Sequence, residues 1–147
     1  MTIPSHYIPK QLSAKDKKIQ KRNIQRSRKM YQKGKYVSRP KLKSFKSKPS
    51  RHVANAMRKY NVKNVFPTPE LARKTGCSLR TLRKIVNKGR GAYYSSGSRP
   101  NQTAESWGLA RLASAITGGK ASCVDRHLLA DGCSFSSKAR KAMLSKC

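Results

Sequence analysis

Acidic residues are what this chain has least of. Five Asp and Glu stand among its 147 residues against 35 Lys and Arg, a formal net charge of +30. With so few carboxylates the cations cannot be neutralised internally, so the molecule attracts polyanions and repels its own copies. A nucleic acid, an anionic lipid surface or an acidic protein surface has to supply the countercharge. Three histidines complete a thin stock of acids and bases, and no G-x-S-x-G or comparable context activates Ser95 or Ser96 toward His127. The expectation is a protein that is not an enzyme, with no cofactor and no small-molecule substrate.

Other absences narrow the reading further. No run approaches the roughly 18 apolar residues of a membrane span. Met1 to Lys10 also lacks the apolar segment of a signal peptide, so the chain is expected on the cytosolic or nuclear side. Cys77, Cys123, Cys133 and Cys147 form no C-x-x-C pair, and nothing suggests secretion, so free thiols are expected rather than a disulfide framework. A sharper alternative takes Cys123, His127 and Cys133 as zinc ligands with Cys77 as the fourth, because thiolate and imidazole suit a tetrahedral site. Such unpaired spacings arise often by chance, and no bound metal is expected. No alternating strand pattern is present either, which predicts a mainly α fold.

What is there divides unevenly. Residues 1–66 carry 20 Lys and Arg against Asp16 alone, and residues 67–147 carry 15 against four acids. A long basic N-terminal arm, residues 1–49, is therefore expected ahead of a small helical domain, residues 50–147. Within the arm, Ser13 and Asp16 make a capping-box start, which predicts a helix over about residues 14–33. Its Ile19, Ile24, Met30 and Tyr31 fit no single apolar stripe, and pairs such as Lys17 with Lys21 and Arg22 with Arg26 repel. Such a helix is expected to order on a partner. The following "KGKYVSRPKLKSFKSKPSR" suits an extended strand along an acidic surface or, in the isolated protein, a solvated disordered tail.

Later helices carry their own signals. Ser50 caps "RHVANAMRKY", and Thr68 with Pro69 starts "ELARKTG", stopping at Gly76. Ser78 starts "LRTLRKIVNKG", for which Gly89 is the expected stop. Thr103 caps "AESWGLARLASAITGG", Ser122 with Asp125 forms a capping box before "VDRHLLADG", and a short helix over Ser137 to Ser145 ends the chain. "ELARKTGCSLRTLRKIV" reads either as a helix-turn-helix-like hairpin, with Leu71, Ala72, Leu82 and Ile85 as its seam and Arg80, Thr81, Arg83 and Lys84 outside, where a DNA-reading helix makes its contacts, or as an αα-hairpin whose cations are only a solvated face. The stretch Gly91 to Gly108, "GAYYSSGSRPNQTAESWG", holds only Arg99 and Glu105 as charged residues. It is expected to be a packed loop where the chain folds against itself, with Arg99 as a further anion-binding candidate.

The segment Gly89 to Leu129, "GRGAYYSSGSRPNQTAESWGLARLASAITGGKASCVDRHLL", resembles an uncharacterised basic domain of large double-stranded DNA viruses, algal giant viruses especially, with a shorter relative in tailed phages. The N-terminal "YIPKQLSAKDKK" and "ELARKTGCS" share the resemblance, which covers most of the chain. It brings no catalytic residue or ligand. It implies a virion protein, in the capsid or just beneath it, made in the host cytoplasm or nucleus.

Two readings follow. The first is a minor capsid protein that cements an icosahedral shell, its arm running along major and minor capsid neighbours or an anionic inner membrane. The second is a DNA-binding, genome-condensing protein of the virion. Both use the same cations: Lys17, Lys18, Lys21, Arg22, Arg26, Arg28 and Lys29 in the arm, Arg80, Arg83 and Lys84 in the hairpin, and Arg99 in the loop.

Overall fold

Hydroxyl side chains start most of the helices. In the computed structural model, which describes residues 2–147, Ser13 accepts the Asp16 N–H ahead of α1 (Ala14–Gln32) and Ser50 the Val53 N–H ahead of α2 (Arg51–Tyr60). Thr68 does the same for α3 (Pro69–Thr75), Ser78 for α4 (Leu79–Ser95) and Thr103 for α5 (Ala104–Ile116). The short α6 (Lys120–Val124) and α7 (Arg126–Gly132) have no side-chain cap, whereas Ser137 caps α8 (Lys138–Lys146). Each cap satisfies an N–H that the helix leaves without a partner. The fold is mainly α, with no named strand among the described residues.

Two boundaries differ from expectation, each for a physical reason. Helix α4 runs through Gly89 to Ser95. Gly89 is a packing glycine rather than a stop: a Cβ there would lie 2.5 Å from the Cα of Gly108, so only a bare backbone lets α4 and α5 meet. Ser122 lies inside α6 and donates to the Gly119 carbonyl, while Asp125 is fully buried against Arg111, so the expected capping box does not form.

Two compact units emerge. Residues up to Lys48 join Arg90–Trp107 in the first; Pro49–Gly89 joins Gly108–Cys147 in the second. The second has the apolar core, built from Ala56 and Tyr60 of α2, Leu71 of α3, Leu82, Ile85 and Val86 of α4, Leu112 and Ile116 of α5, Leu129 of α7 and Met143 of α8. Deleting a side chain such as Leu82 or Leu112 costs about 2–5 kcal/mol, because a close-packed core only partly collapses into the void. Tyr60 reaches across this core and donates to the Ile116 carbonyl, which satisfies the one polar atom the ring brings in. Burial pushes its hydroxyl pKa up.

All four cysteines of the second unit are paired, which corrects the expectation of free thiols. Cys77, in the turn between α3 and α4, bonds Cys133 just past α7, flanked by Ser78 N–H to Gly132 O and Ser134 N–H to Gly76 O at 2.8 Å each. Cys123 of α6 bonds the terminal Cys147. The sequence separations, 56 and 24 residues, leave no local spacing signal. A paired sulfur is not a thiolate, so the zinc set of Cys77, Cys123, His127 and Cys133 does not assemble here. His127 is exposed, with its Nε2 3.4 Å from Lys88 Nζ, and among the described residues no group of three or more His, Cys, Asp or Glu could hold a metal.

Candidate nucleic-acid interface

The basic α1 has a buried face, and that face is largely polar. Gln20, Ile24 and Ser27 stand at i, i+4 and i+7, and all three are buried. Gln20 donates to the carbonyls of Tyr7 and Ser98, at 3.1 and 3.2 Å. Ile24 packs against Gly97, whose φ of 125° and close approach exclude a side chain. Ser27 accepts Arg39 Nη1 at 2.8 Å. Two of the stripe's three members are polar, so it leaves no apolar periodicity in the sequence.

Arg39 is the knot of the first unit. Its Nη1 also donates to the Tyr93 carbonyl at 2.9 Å, its Nη2 donates to Ser98 Oγ at 2.9 Å, and its Cζ lies 3.8 Å from the centroid of the Tyr93 ring. Tyr93 is 1% exposed, and its hydroxyl accepts the Arg39 backbone N–H. Burial lowers the Arg39 pKa, offset in part by Tyr93. Arg28 follows the same logic, donating its Nε to the Ser96 carbonyl at 2.8 Å. Backbone oxygens of residues 93–98 thus stand in for the missing carboxylates. Asn101, in the left-handed region at φ 62°, accepts the Leu42 N–H and donates to the Leu42 and Phe45 carbonyls, which fastens residues 42–45. The uncharged stretch is therefore the inner wall on which the basic segment lies, with its first residues closing α4 and its last opening α5 rather than forming one loop.

Opposite the buried stripe, α1 presents Lys18, Lys21, Arg22, Arg26 and Lys29, all exposed. Lys18, Arg22, Arg26 and Lys29 follow one another at steps of four, four and three residues, a row about 16 Å long at 1.5 Å per residue. Lys17 is half-buried and Arg28 is turned to the protein's own carbonyls, so neither belongs to the row. Among the described residues only two ion pairs form, Lys74 with Glu70 at 3.2 Å and Arg111 with Asp125 at 2.7 Å, and both lie in the second unit. Asp16, the one acid on α1, accepts the N–H and hydroxyl of Ser44, and these bonds hold its carboxyl below the ordinary aspartate value. No acidic side chain pairs with the row among the described residues.

In the second unit Arg80, Arg83 and Lys84 are exposed on α4 as expected, while Leu71, Leu82 and Ile85 are in the core and Ala72 is half-buried. Thr81 is a correction: it is 6% exposed and packed against Gly132, where a Cβ would come within 2 Å of its hydroxyl. The Cys77–Cys133 bond fixes the intervening turn. Arg99 is exposed in the first unit. The α1 row and the α4 trio are thus each drawn together on one helix. Arg39, the residue most tightly held in the first unit, carries no signal in the sequence, because nothing marks one arginine among 35 cations as an inward one.

A family model described as a family of unknown function (DUF5824) matches residues 4–130. No curated protein and no solved structure matches the chain.

Proposed function

Because the chain belongs to that family, whose description assigns no activity, we propose its function from its own surface: a non-enzymatic virion protein that binds the phosphate backbone of DNA and helps to condense the genome. The observation that carries this reading is the row Lys18, Arg22, Arg26 and Lys29, exposed on the face of α1 opposite its buried stripe and without an acidic partner. Regularly spaced cations on a rigid helix release the counterions condensed on a polyanion, which yields sequence-independent affinity. Arg80, Arg83 and Lys84 extend the same chemistry to the hairpin, whose helix-turn-helix-like shape would let α4 approach a groove. The virion setting rests on the resemblance to proteins of large DNA viruses. Two disulfides are in keeping with it, since disulfides persist on particles outside the reducing cytosol.

A minor capsid role is the second reading, and a specific observation favours it. Phe135, Val124 and Leu144 of the second unit are 80, 58 and 53% exposed. Apolar side chains of that size so exposed suit a protein neighbour better than a phosphate. The basic segment itself is less of an argument for capsid neighbours than its composition suggests, because Arg39 and Asn101 give it partners within its own unit.

Fractionation of virions separates the two. At about 0.5 M salt the Debye length falls below roughly 5 Å and charge-held proteins leave their ligand. The DNA reading expects the protein to leave the DNA, appear in the soluble fraction and be absent from the shells. Its retention on washed shell fragments after nuclease digestion would overturn that reading in favour of the capsid one.

A further inference from the structure

Past the end of α1 the first unit carries a cluster of tyrosines that a core does not account for. Tyr31, from the last turn of α1, lies parallel to Tyr94 of α4, with ring centroids 6.5 Å apart and planes at 5°. Tyr36 leans on both, at 5.9 Å from Tyr31 and 5.2 Å from Tyr94. Tyr94 in turn meets Tyr93 edge-on at 5.1 Å. From Tyr93 to Tyr36 the cluster runs from inside to outside: Tyr93 is 1% exposed, Tyr31 and Tyr94 are half-buried, and Tyr36 is 70% exposed.

The backbone holds Tyr36 in this place. Helix α1 ends in a Schellman motif, with Gly34 N–H to Tyr31 O and Lys35 N–H to Met30 O at 2.9 Å each, and Gly34 takes the φ of 77° that the motif requires. The chain is thereby turned so that Tyr36, two residues on, meets the ring of Tyr31. Lys33 and Lys35 flank it in sequence and Arg90 stands one turn before Tyr94 on α4; all three are exposed, and among the described residues no acidic side chain pairs with them.

An exposed π-face, a rigid aromatic backing and cations around it are the three parts of a single-strand binding platform. Bases stack on the ring while the phosphates that follow them meet Lys and Arg. Duplex DNA offers such a ring nothing, because its bases are already stacked. We propose that Tyr36, backed by Tyr31 and Tyr94 and flanked by Lys33, Lys35 and Arg90, is a stacking site for an unpaired base of single-stranded nucleic acid. The proposal rests on the nucleic-acid reading above and adds a strand preference to it.

The test uses the full chain and three fluorescein-labelled probes: a 20-mer of thymidine, an abasic 20-mer of equal charge and a random 20-base-pair duplex. Wild type is expected to bind the thymidine strand more tightly than the abasic one. Tyr36→Ala should weaken the thymidine complex by about 5- to 100-fold, the range a single stacked base gives. Its affinity for the abasic strand and the duplex should stay as in wild type, and Tyr36→Phe, which keeps the π-face, should restore stacking. Because Tyr36 is 70% exposed, its truncation leaves the packing of the unit intact, and an unchanged circular dichroism melt of Tyr36→Ala checks this. Equal binding of thymidine and abasic strands, or indifference of the thymidine complex to Tyr36→Ala while the duplex still binds, would overturn the stacking site and leave the phosphate reading standing. Absence of binding to all three probes would bring down both.

Discussion

The two units of this protein solve the problem of cohesion with different means. The second has an ordinary apolar core, an Arg111–Asp125 pair inside it and both disulfides. The first has no cysteine and few buried apolar side chains, chiefly Leu12, Ile24, Leu42 and Tyr93; it is held by Gln20, Ser27, Arg39 and Asn101 through hydrogen bonds to backbone carbonyls and hydroxyls. It carries 18 Lys and Arg against Asp16 and Glu105. The difference teaches how a basic surface can be made rigid without acids: the cations that must fold inward take carbonyl partners, and the rest stay exposed. Hydrogen bonds are worth little net when made and much when broken, so the first unit should fail by losing single hydrogen bonds, and the second by losing its buried ion pair, an apolar side chain or a covalent link, each at a larger cost.

Breaking the second unit should give the largest effect. Asp125 is fully buried and receives Arg111 Nε at 2.8 Å and Nη2 at 2.7 Å. Asp125→Ala leaves a guanidinium largely buried without its counter-ion, an expected cost of about 3–5 kcal/mol in urea unfolding. Loss of a single disulfide is of similar size. Opening the Cys77–Cys133 and Cys123–Cys147 loops, 56 and 24 residues apart, should cost about 4 and about 3.5 kcal/mol in the chain-entropy account. Hydrogen exchange before and after reduction should show α2, α3 and α8 losing protection while α1 keeps its own. Equal loss in α1 would erase the contrast between the units.

In the first unit, Arg39→Ala should cost about 1–3 kcal/mol through the acceptors it strands, read as faster proteolysis between Lys33 and Lys48. Arg39→Lys should not rescue it, because one ammonium cannot span Ser27, Tyr93 and Ser98 in a fixed plane. The smallest effect is a pH dependence at Asp16. Its folded pKa is depressed by the Ser44 hydrogen bonds, so the stabilisation is complete above the ordinary aspartate value of 3.8 and is lost as pH falls through the lower folded value. Ser44→Ala should remove this acid-side loss from thermal melts of α1.

How far this organisation was legible in the sequence depended on whether its cause was local. Caps at Ser13, Ser50, Thr68, Ser78 and Thr103 could be read, because a cap and its N–H lie within three residues. The seam of Leu71, Leu82 and Ile85 could be read from its period. Gly89 misled because a glycine placed for Gly108 looks the same in sequence as one that ends a helix. The buried face of α1 was hidden by being polar, and the disulfides by their separation. Composition led to the expectation that the cations seek a polyanion, but only the positions of Gln20, Ile24 and Ser27 distinguish the outward Arg22 and Arg26 from the inward Arg28 and Arg39.

The most direct test of the central claim is the salt dependence of binding to random duplex DNA, measured for wild type and for a variant with Lys18, Arg22, Arg26 and Lys29 all changed to Gln. These side chains are exposed, so the fold should be unaffected. If the row neutralises phosphates, the logarithm of the binding constant falls linearly with the logarithm of salt, and the variant's slope is shallower by about 3 to 4, near 0.9 for each phosphate that the variant leaves unneutralised. An unchanged slope, or wild-type affinity that does not vary with salt, would contradict the claim.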